Sequence, residues 1–298
     1  MSNYAASVVL REAPSSPQLC PKDDLLPRDR VIHLRTLGYK APPAAEDVAF
    51  PFSVPSIRQL KTLEFATPVT FFVGENGSGK STLLESIALA AALPAIGSAS
   101  LDSDATLEAQ RTFARRLRLS WTHRTRKGFF LRAEDFFGFA KELSRARVEF
   151  ERRLREIDVE YADRSAWARG LASGPAAASL ADMERRYGVD LDTNSHGQSF
   201  LRLFQSRFVP GGLYLLDEPE APLSPQSQLA LISLLNDMVA QQSQFIIATH
   251  SPLLLAYPRA TIVSFDRQPA ALVDYGDLEH VNLTRDFLAD PQRFLRHL

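Results

Sequence analysis

Nine consecutive residues carry the most recognisable chemistry in this chain: Gly74-Glu75-Asn76-Gly77-Ser78-Gly79-Lys80-Ser81-Thr82. They contain Gly-x-x-x-x-Gly-Lys-Ser, the pattern of a phosphate-binding loop. Its glycines let backbone N–H groups converge on phosphate oxygens with no Cβ in the way. A helix starting in the loop adds partial positive charge at its N-terminus. Lys80 is expected to reach the β- and γ-phosphates of a nucleotide, and the Ser81 hydroxyl to ligate Mg²⁺. The bland alternative, a Gly-rich turn, gives no reason for the strand before it and the helix after it.

A second group is acidic. Leu213-Tyr214-Leu215-Leu216-Asp217-Glu218-Pro219-Glu220 is an apolar strand that ends in carboxylates. In an open α/β sheet, ligands bind beyond the carboxyl ends of the strands. Asp217 is therefore expected beside the loop, holding Mg²⁺ directly or through water. Glu218 is expected to orient and deprotonate an attacking water. Read alone, the pair is also compatible with an acidic strand end that caps a helix. Phe245 to Thr249 is a further strand, and His250 follows it. An isolated histidine is usually structural; the position of His250 after the acidic pair points to the same site. His196 has no second His or Cys at ligand spacing, which argues against a metal role for it.

The elements that must hold these groups can be read from periodicity. Val69–Val73 is β-branched and aromatic, as in a strand buried on both faces. Leu83, Leu84, Ile87 and Ala88 follow at helical spacing. Val31 to Leu37 and Leu63 to Phe65 read as strands. Leu117, Leu119 and Trp121 alternate with Arg118, Ser120 and Thr122, and Phe129 to Leu131 continues after the turn signal Thr125-Arg126-Lys127-Gly128. That pattern predicts a hairpin. Leu143, Phe150, Leu154, Ile157 and Tyr161 predict an amphipathic helix, interrupted at Gly174-Pro175. Phe200 to Phe208 and Gln226 to Ala240 read as helices, and Thr261 to Phe265 as a strand. Strand–helix alternation with buried strands implies a mainly parallel central sheet in an α/β fold.

Composition narrows the class. The chain has 298 residues, Lys+Arg 34 against Asp+Glu 35, and a net charge of −1. That balance argues against coating nucleic acid through overall basicity. Cys20 is the one cysteine, so no intramolecular disulfide and no Cys-based zinc site is expected. No apolar run approaches a membrane span, and residues 1–10 lack the basic start of a signal peptide. The expected location is cytoplasmic.

The order Gly74–Thr82, Ser195-His196-Gly197-Gln198-Ser199, Asp217-Glu218, Ala221-Pro222-Leu223-Ser224-Pro225 and His250 resembles the ATP-binding-cassette (ABC) ATPase superfamily. Gly128 to Phe137, Ser195 to Phe200, Asp217 to Ala221 and Thr249-His250-Ser251-Pro252 are similar to phrases of compact, stand-alone bacterial ATPases. The resemblance covers roughly residues 30–298. It implies a P-loop NTPase fold with an antiparallel β subdomain and a small helical lid insertion. The division expected is an N-terminal arm over 1–29, a first core half over 30–138, the lid over 139–194 and a second core half over 195–298. It implies a head-to-tail homodimer with ATP clamped between one P-loop and the partner's signature motif. Ser195, the Gly197 backbone and Gln198 would then serve the nucleotide in trans, and His250 the γ-phosphate in cis. Glu134 stands where the superfamily places a glutamine that senses Mg²⁺; its alternative reading is a helix N-terminal acid. His196 replaces the first of two signature glycines, which tells against a transporter subunit. Tyr39 or Phe50 would be the aromatic contact for adenine, unless both simply pack.

Ala109 to Ala133 holds no acidic residue, but includes Arg111, Arg115, Arg116, Arg118, Arg124, Arg126, Lys127 and Arg132. This run is either the wet face of the expected hairpin or a contact surface for a nucleic-acid backbone. Three rivals to a cassette-type ATPase homodimer with an unidentified partner protein follow. They are a transporter's nucleotide-binding subunit, an ATP-switched nucleic-acid binder of DNA repair or phage defence, and a small-molecule kinase. The last leaves Ser195–Ser199 and His250 unexplained.

Overall fold

The computed structural model describes residues 31–41, 49–96, 107–187 and 196–296. The expected N-terminal arm and Ser195 lie outside the described residues. The strands are β1 (Leu34–Tyr39), β2 (Leu63–Glu64), β3 (Val69–Val73), β4 (Ala95–Ile96), β5 (Leu117–Trp121), β6 (Gly128–Arg132), β7 (Leu213–Asp217), β8 (Gln244–Ala248), β9 (Thr261–Ser264) and β10 (Ala271–Leu272). The helices are α1 (Pro55–Arg58), α2 (Lys80–Ala91), α3 (Glu108–Ala114), α4 (Ala133–Glu160), α5 (Ala166–Tyr187), α6 (His196–Arg207), α7 (Pro225–Ala240), α8 (Pro252–Leu255), α9 (Glu279–Ala289) and α10 (Pro291–Leu295).

Seven strands form the central sheet in the order β10-β9-β3-β8-β7-β6-β4. All neighbours run parallel except β10, which pairs antiparallel with β9. Every residue of β3, β7 and β8 is buried. The reason is the two-residue period of a strand. Val69, Phe71 and Val73 enter one core with Tyr214, Leu216, Phe245 and Ile247. Thr70 aside, the alternate positions Phe72, Leu213, Leu215, Ile246 and Ala248 enter a second core on the other face. The first core is closed by α6 and α7 through Phe200, Phe204, Leu231 and Leu235. The second is closed by α2 and by a small antiparallel sheet in the order β2-β1-β5. The small sheet is tied to the large one by buried Gln244, whose amide accepts from Leu34 N at 2.8 Å and donates to Leu34 O at 2.9 Å.

Helix starts follow from local chemistry. The Ser224 hydroxyl caps α7 by accepting from Ser227 N at 3.3 Å, and the Ser251 hydroxyl caps α8 by accepting from Leu254 N at 3.2 Å. A proline follows each serine at the first helical position, where its missing N–H costs nothing.

Two sequence expectations need correction. β5 and β6 are not a hairpin. β5 pairs with β1 in the small sheet, while β6 lies between β4 and β7 in the central one. The turn signal ends a crossing from one sheet to the other, and burial of Phe129, Phe130 and Leu131 decides where β6 goes. Nor is the long helical segment broken at Gly174-Pro175, which lie inside α5. Pro175 removes one donor and strains the helix, but α5 packs against α4 and α6, and tertiary contact holds it. The break falls at Tyr161–Ser165 instead. There Arg169 reaches the Ala162 carbonyl at 3.1 Å, and the Ser165 hydroxyl accepts from Ala168 N at 3.2 Å.

Gly128 opens β6 with φ +123°, and a Cβ there would sit 1.8 Å from the Leu213 carbonyl oxygen. Gly128→Ala is therefore expected to part β6 from β7 and to cost at least about 3 kcal/mol, read as the urea midpoint by circular dichroism. An unchanged midpoint would contradict this register.

Candidate functional site

The site lies where β3, β7 and β8 end together. Between β3 and α2 the chain turns through Gly74 (φ +147°), Gly77 (φ +81°) and Gly79 (φ +98°), conformations that residues with a Cβ rarely adopt. Space is as restrictive as torsion. A Cβ on Gly74 would stand 2.9 Å from Ser78 Oγ, and one on Gly79 3.0 Å from Ser56 Oγ. Glu75, Asn76 and Ser78 fill the turns between the glycines, and Thr82 lies in the first turn of α2.

Lys80 is 4% exposed, and its Nζ donates to the carbonyls of Gly74 (2.6 Å) and Glu75 (3.0 Å). Burial lowers its pKa, opposed by the carboxylates of Glu218 and Asp217. Ser81 Oγ donates to Asp217 Oδ1 at 3.1 Å, joining the loop to the end of β7. Burial pushes the Asp217 carboxyl up to about 7, against the Ser81 hydrogen bond that favours its charge. Behind it, Arg132 reaches Glu85 at 2.6 Å, and Gln110 donates to the same carboxylate at 2.8 Å. Arg132 sits opposite Asp217 in the β6–β7 register.

Glu218 is exposed and carries φ +50°, a strained backbone for a glutamate. Its N–H donates to Ala248 O at 2.9 Å, so the turn after β7 is fastened to the end of β8. Its Oε1 lies 4.0 Å from His250 Nε2. Burial, then the Lys80 charge, lowers the pKa of His250, so the ring is neutral near pH 7. The His250 backbone N–H donates to Glu220 Oε1 at 2.8 Å. His250 Nε2 and Glu220 Oε2 are both buried without a hydrogen bond among the described residues. A cavity of about 760 Å³ opens beside these two residues, walled by Pro252, Leu253, Val281 and Leu288.

Thus Gly74–Thr82, Asp217, Glu218 and His250 converge. Gly197 and Gln198 stand in the first turn of α6. Glu134 is exposed in the first turn of α4, 3.8 Å from Arg132. Tyr39 packs edge-on against Phe113 with centroids 5.5 Å apart, which is a packing role, and Phe50 is exposed.

Two family models match the sequence. One, described as "AAA domain", spans residues 53–157, and the other, "AAA domain, putative AbiEii toxin, Type IV TA system", spans residues 199–256. Between them they take in the glycine loop, the acidic strand end and His250. Both matches are to AAA-type domains, and they support a P-loop ATPase. No curated protein matches the sequence. Among solved structures, similar folds include a Pyrococcus furiosus Smc head domain with an extended coiled coil, bound to the C-terminal domain of ScpA (12% identity, 86% of this chain and 99% of that one, TM-score 0.41). Another is the SMC head domain from Thermotoga maritima (15% identity, 81% and 98% coverage, TM-score 0.41). A third is a nucleotide-free ATP-binding cassette from an ABC transporter (15% identity, 78% and 90% coverage, TM-score 0.37). These are loose superpositions. Among the described residues, no helix is long and apolar enough to cross a membrane.

Sequence reasoning missed two groups that shape the loop. Asp266 Oδ1 accepts from Glu75 N at 2.7 Å, and Ser56 Oγ donates to Ser78 O. Asp266 follows Phe265 at the end of β9, which neighbours β3. The signal was an acid just beyond a parallel strand, the same signal that marks Asp217.

Asp217→Asn tests the buried charge. The folded carboxyl keeps its proton to about pH 7, while 3.8 is its ordinary value. Across that window the folded chain binds more protons than the unfolded one, so stability falls as pH rises. Without nucleotide or Mg²⁺, the amide variant is expected to melt several degrees above the parent at about pH 8. The margin should shrink as pH falls toward about 4. Equal melting points at the higher pH would show that the charge is not buried.

Proposed function

We propose that this chain is a Mg²⁺-dependent ATPase that works as a head-to-tail homodimer with ATP held between the subunits. The observation that carries the reading is the Ser81–Asp217 hydrogen bond with Lys80 beside it. A hydroxyl and a carboxylate meet next to a buried ammonium, within a glycine cradle that any Cβ at 74 or 79 would crowd. This donor set fits Mg²⁺ carried by a nucleotide. Among the described residues no cluster of three His, Cys, Asp or Glu could hold a metal, and Mg²⁺ in such sites takes one or two protein oxygens plus phosphate.

The residues divide the work. The amides of Glu75 to Ser81 and the helix N-terminus would hold the phosphates. Lys80 would exchange its bonds to loop carbonyls for bonds to phosphate oxygens. Mg²⁺ held by Ser81 and Asp217 would supply charge neutralisation on the phosphates. Glu218 would accept a proton from the attacking water as the oxygen bonds phosphorus and the bond to ADP breaks, giving ADP and inorganic phosphate. Neutral His250, 4.0 Å from Glu218, would steady that water or the γ-phosphate. Glu134, at the start of α4 beside Arg132, would report the site's state to α4 and α5, read as part of a lid. Ser195, Gly197 and Gln198 of the partner subunit would close the site. Closing on ATP and opening after hydrolysis would transmit force or a signal to a partner protein.

Lys80→Ala is expected to weaken ATP binding at least about tenfold, since it removes the only ammonium among the loop residues. Glu218→Gln keeps the volume and the backbone turn but loses the base. It is expected to bind ATP, to sediment as a dimer with ATP and Mg²⁺, and to turn over at least about 100-fold more slowly. Turnover that is independent of protein concentration, or unchanged in Glu218→Gln, would overturn the proposal.

A further inference from the structure

The eight cations of residues 109–133 do not form one surface. Arg132 is spent on Glu85, and Lys127 donates to Pro210 O at 3.2 Å. The fold instead gathers Arg115, Arg116 and Arg118 with Lys40, which sequence analysis left out, around a cavity of about 550 Å³ that Thr112 completes. None of the described residues lining it is acidic. Among the described residues no carboxylate pairs with Lys40, Arg115 or Arg118.

The arrangement is rigid underneath. Lys40 N donates to Arg116 O at 3.1 Å, extending the β1–β5 ladder that sets Gly38 opposite Arg118 and Tyr39 opposite Leu117. Gly38 leaves the space beside Arg118 free of a side chain. Below, Tyr39 and Phe52 both meet Phe113 edge-on, and the Arg116 guanidinium lies over the Phe52 ring at 5.6 Å. Arg115 ends α3, and Arg118 points outward from β5, where Leu117 points in. The cavity is a neighbour of the nucleotide loop. Phe52, under Arg116, is one short segment from Ser56, which bonds the loop at Ser78.

We infer that this cavity binds the phosphate backbone of a nucleic acid. Three guanidinium forks and one ammonium surround an open hollow, donors suited to the oxygens of successive phosphates. Lys40 just past β1, Arg118 on β5 and Arg115 just past α3 come from three different segments, so their charges are spread around the hollow, as contacts to successive phosphates require. Such contacts fix register without reading sequence, and they fit a chain whose net charge is only −1, because the basic surface is local. The inference is independent of the ATPase reading, since binding needs no turnover.

The test uses the full chain and a short fluorescein-labelled DNA duplex, followed by anisotropy across a salt series. Arg115→Glu/Arg118→Glu is expected to weaken duplex binding at least about tenfold and to lower the slope of log K against log salt by about 2. Lys40→Gln should weaken it less, and Lys80→Ala should leave it unchanged. ATP affinity of the double variant, measured separately, should match the parent. Because these side chains are exposed or rim the cavity, an unchanged melting curve is expected to confirm folding. Three results would overturn the inference: duplex binding that the double variant retains, a loss of ATP affinity in that variant, which would assign the cavity to the nucleotide, or full competition by inorganic phosphate at equal phosphate concentration. Loss of ATPase activity in the parent chain with duplex binding intact would sink the ATPase reading alone.

Discussion

Ser81 and Asp217 are 136 residues apart in sequence and share one hydrogen bond of 3.1 Å. That bond is possible only because β8 lies between β3 and β7, all three parallel and all three buried along their whole length. Parallel strands end at one edge, so whatever follows each strand is delivered to the same place. The glycine loop follows β3, Glu218 follows β7, His250 follows β8 by one residue, and Asp266 follows β9. Each polar group is placed by an apolar strand, and the two cores on either face fix the strands against sliding. A slip of one residue would exchange Phe71 for Phe72 and move every inward side chain to the wrong face.

The same edge concentrates cost. A buried ammonium, a buried carboxylate at about 7 and a glutamate with positive φ are each unfavourable taken singly. The fold tolerates them because they lie at the rim of a large, well-packed sheet. Glu85, Gln110 and Arg132 form a second layer that keeps the Asp217 end of β7 in place. Glu220 does the same for the backbone of His250. The two acids after Asp217 therefore differ in place: Glu218 faces outward, whereas Glu220 faces inward as a brace.

What could be read from sequence divides along a physical line. The glycine loop, the acidic strand end and the three buried strands were legible because each is specified within a few residues. The partner of a strand is not. β5 and β6 are separated by a turn signal, yet burial of Phe129 to Leu131 sends β6 to the central sheet. The helix break was misplaced for a related reason: Gly174-Pro175 is a local breaker, but packing of α5 against its neighbours is a tertiary term that outweighs it. Asp266 and Ser56 were missed because neither belongs to a motif; their importance comes from the backbone atoms they happen to hold. The basic run was seen as a run, but only the β1–β5 pairing shows that its middle belongs with Lys40 and its ends do not.

The shape of the glycine loop is consequently not a property of the loop alone. Gly79 is crowded by Ser56 and Ile57, and Gly74 by Asp266. Glu75 N and Ser78 O, the two ends of the loop's central turn, are held by Asp266 and Ser56. Segments that look like linkers thus form two walls of the glycine loop. One of them, residues 49–58, also carries Phe52, the ring beneath Arg116. That one segment therefore touches both places: Ser56 bonds the glycine loop at Ser78, and Phe52 lies under Arg116 and against Phe113, in a core packed to crystal-like density.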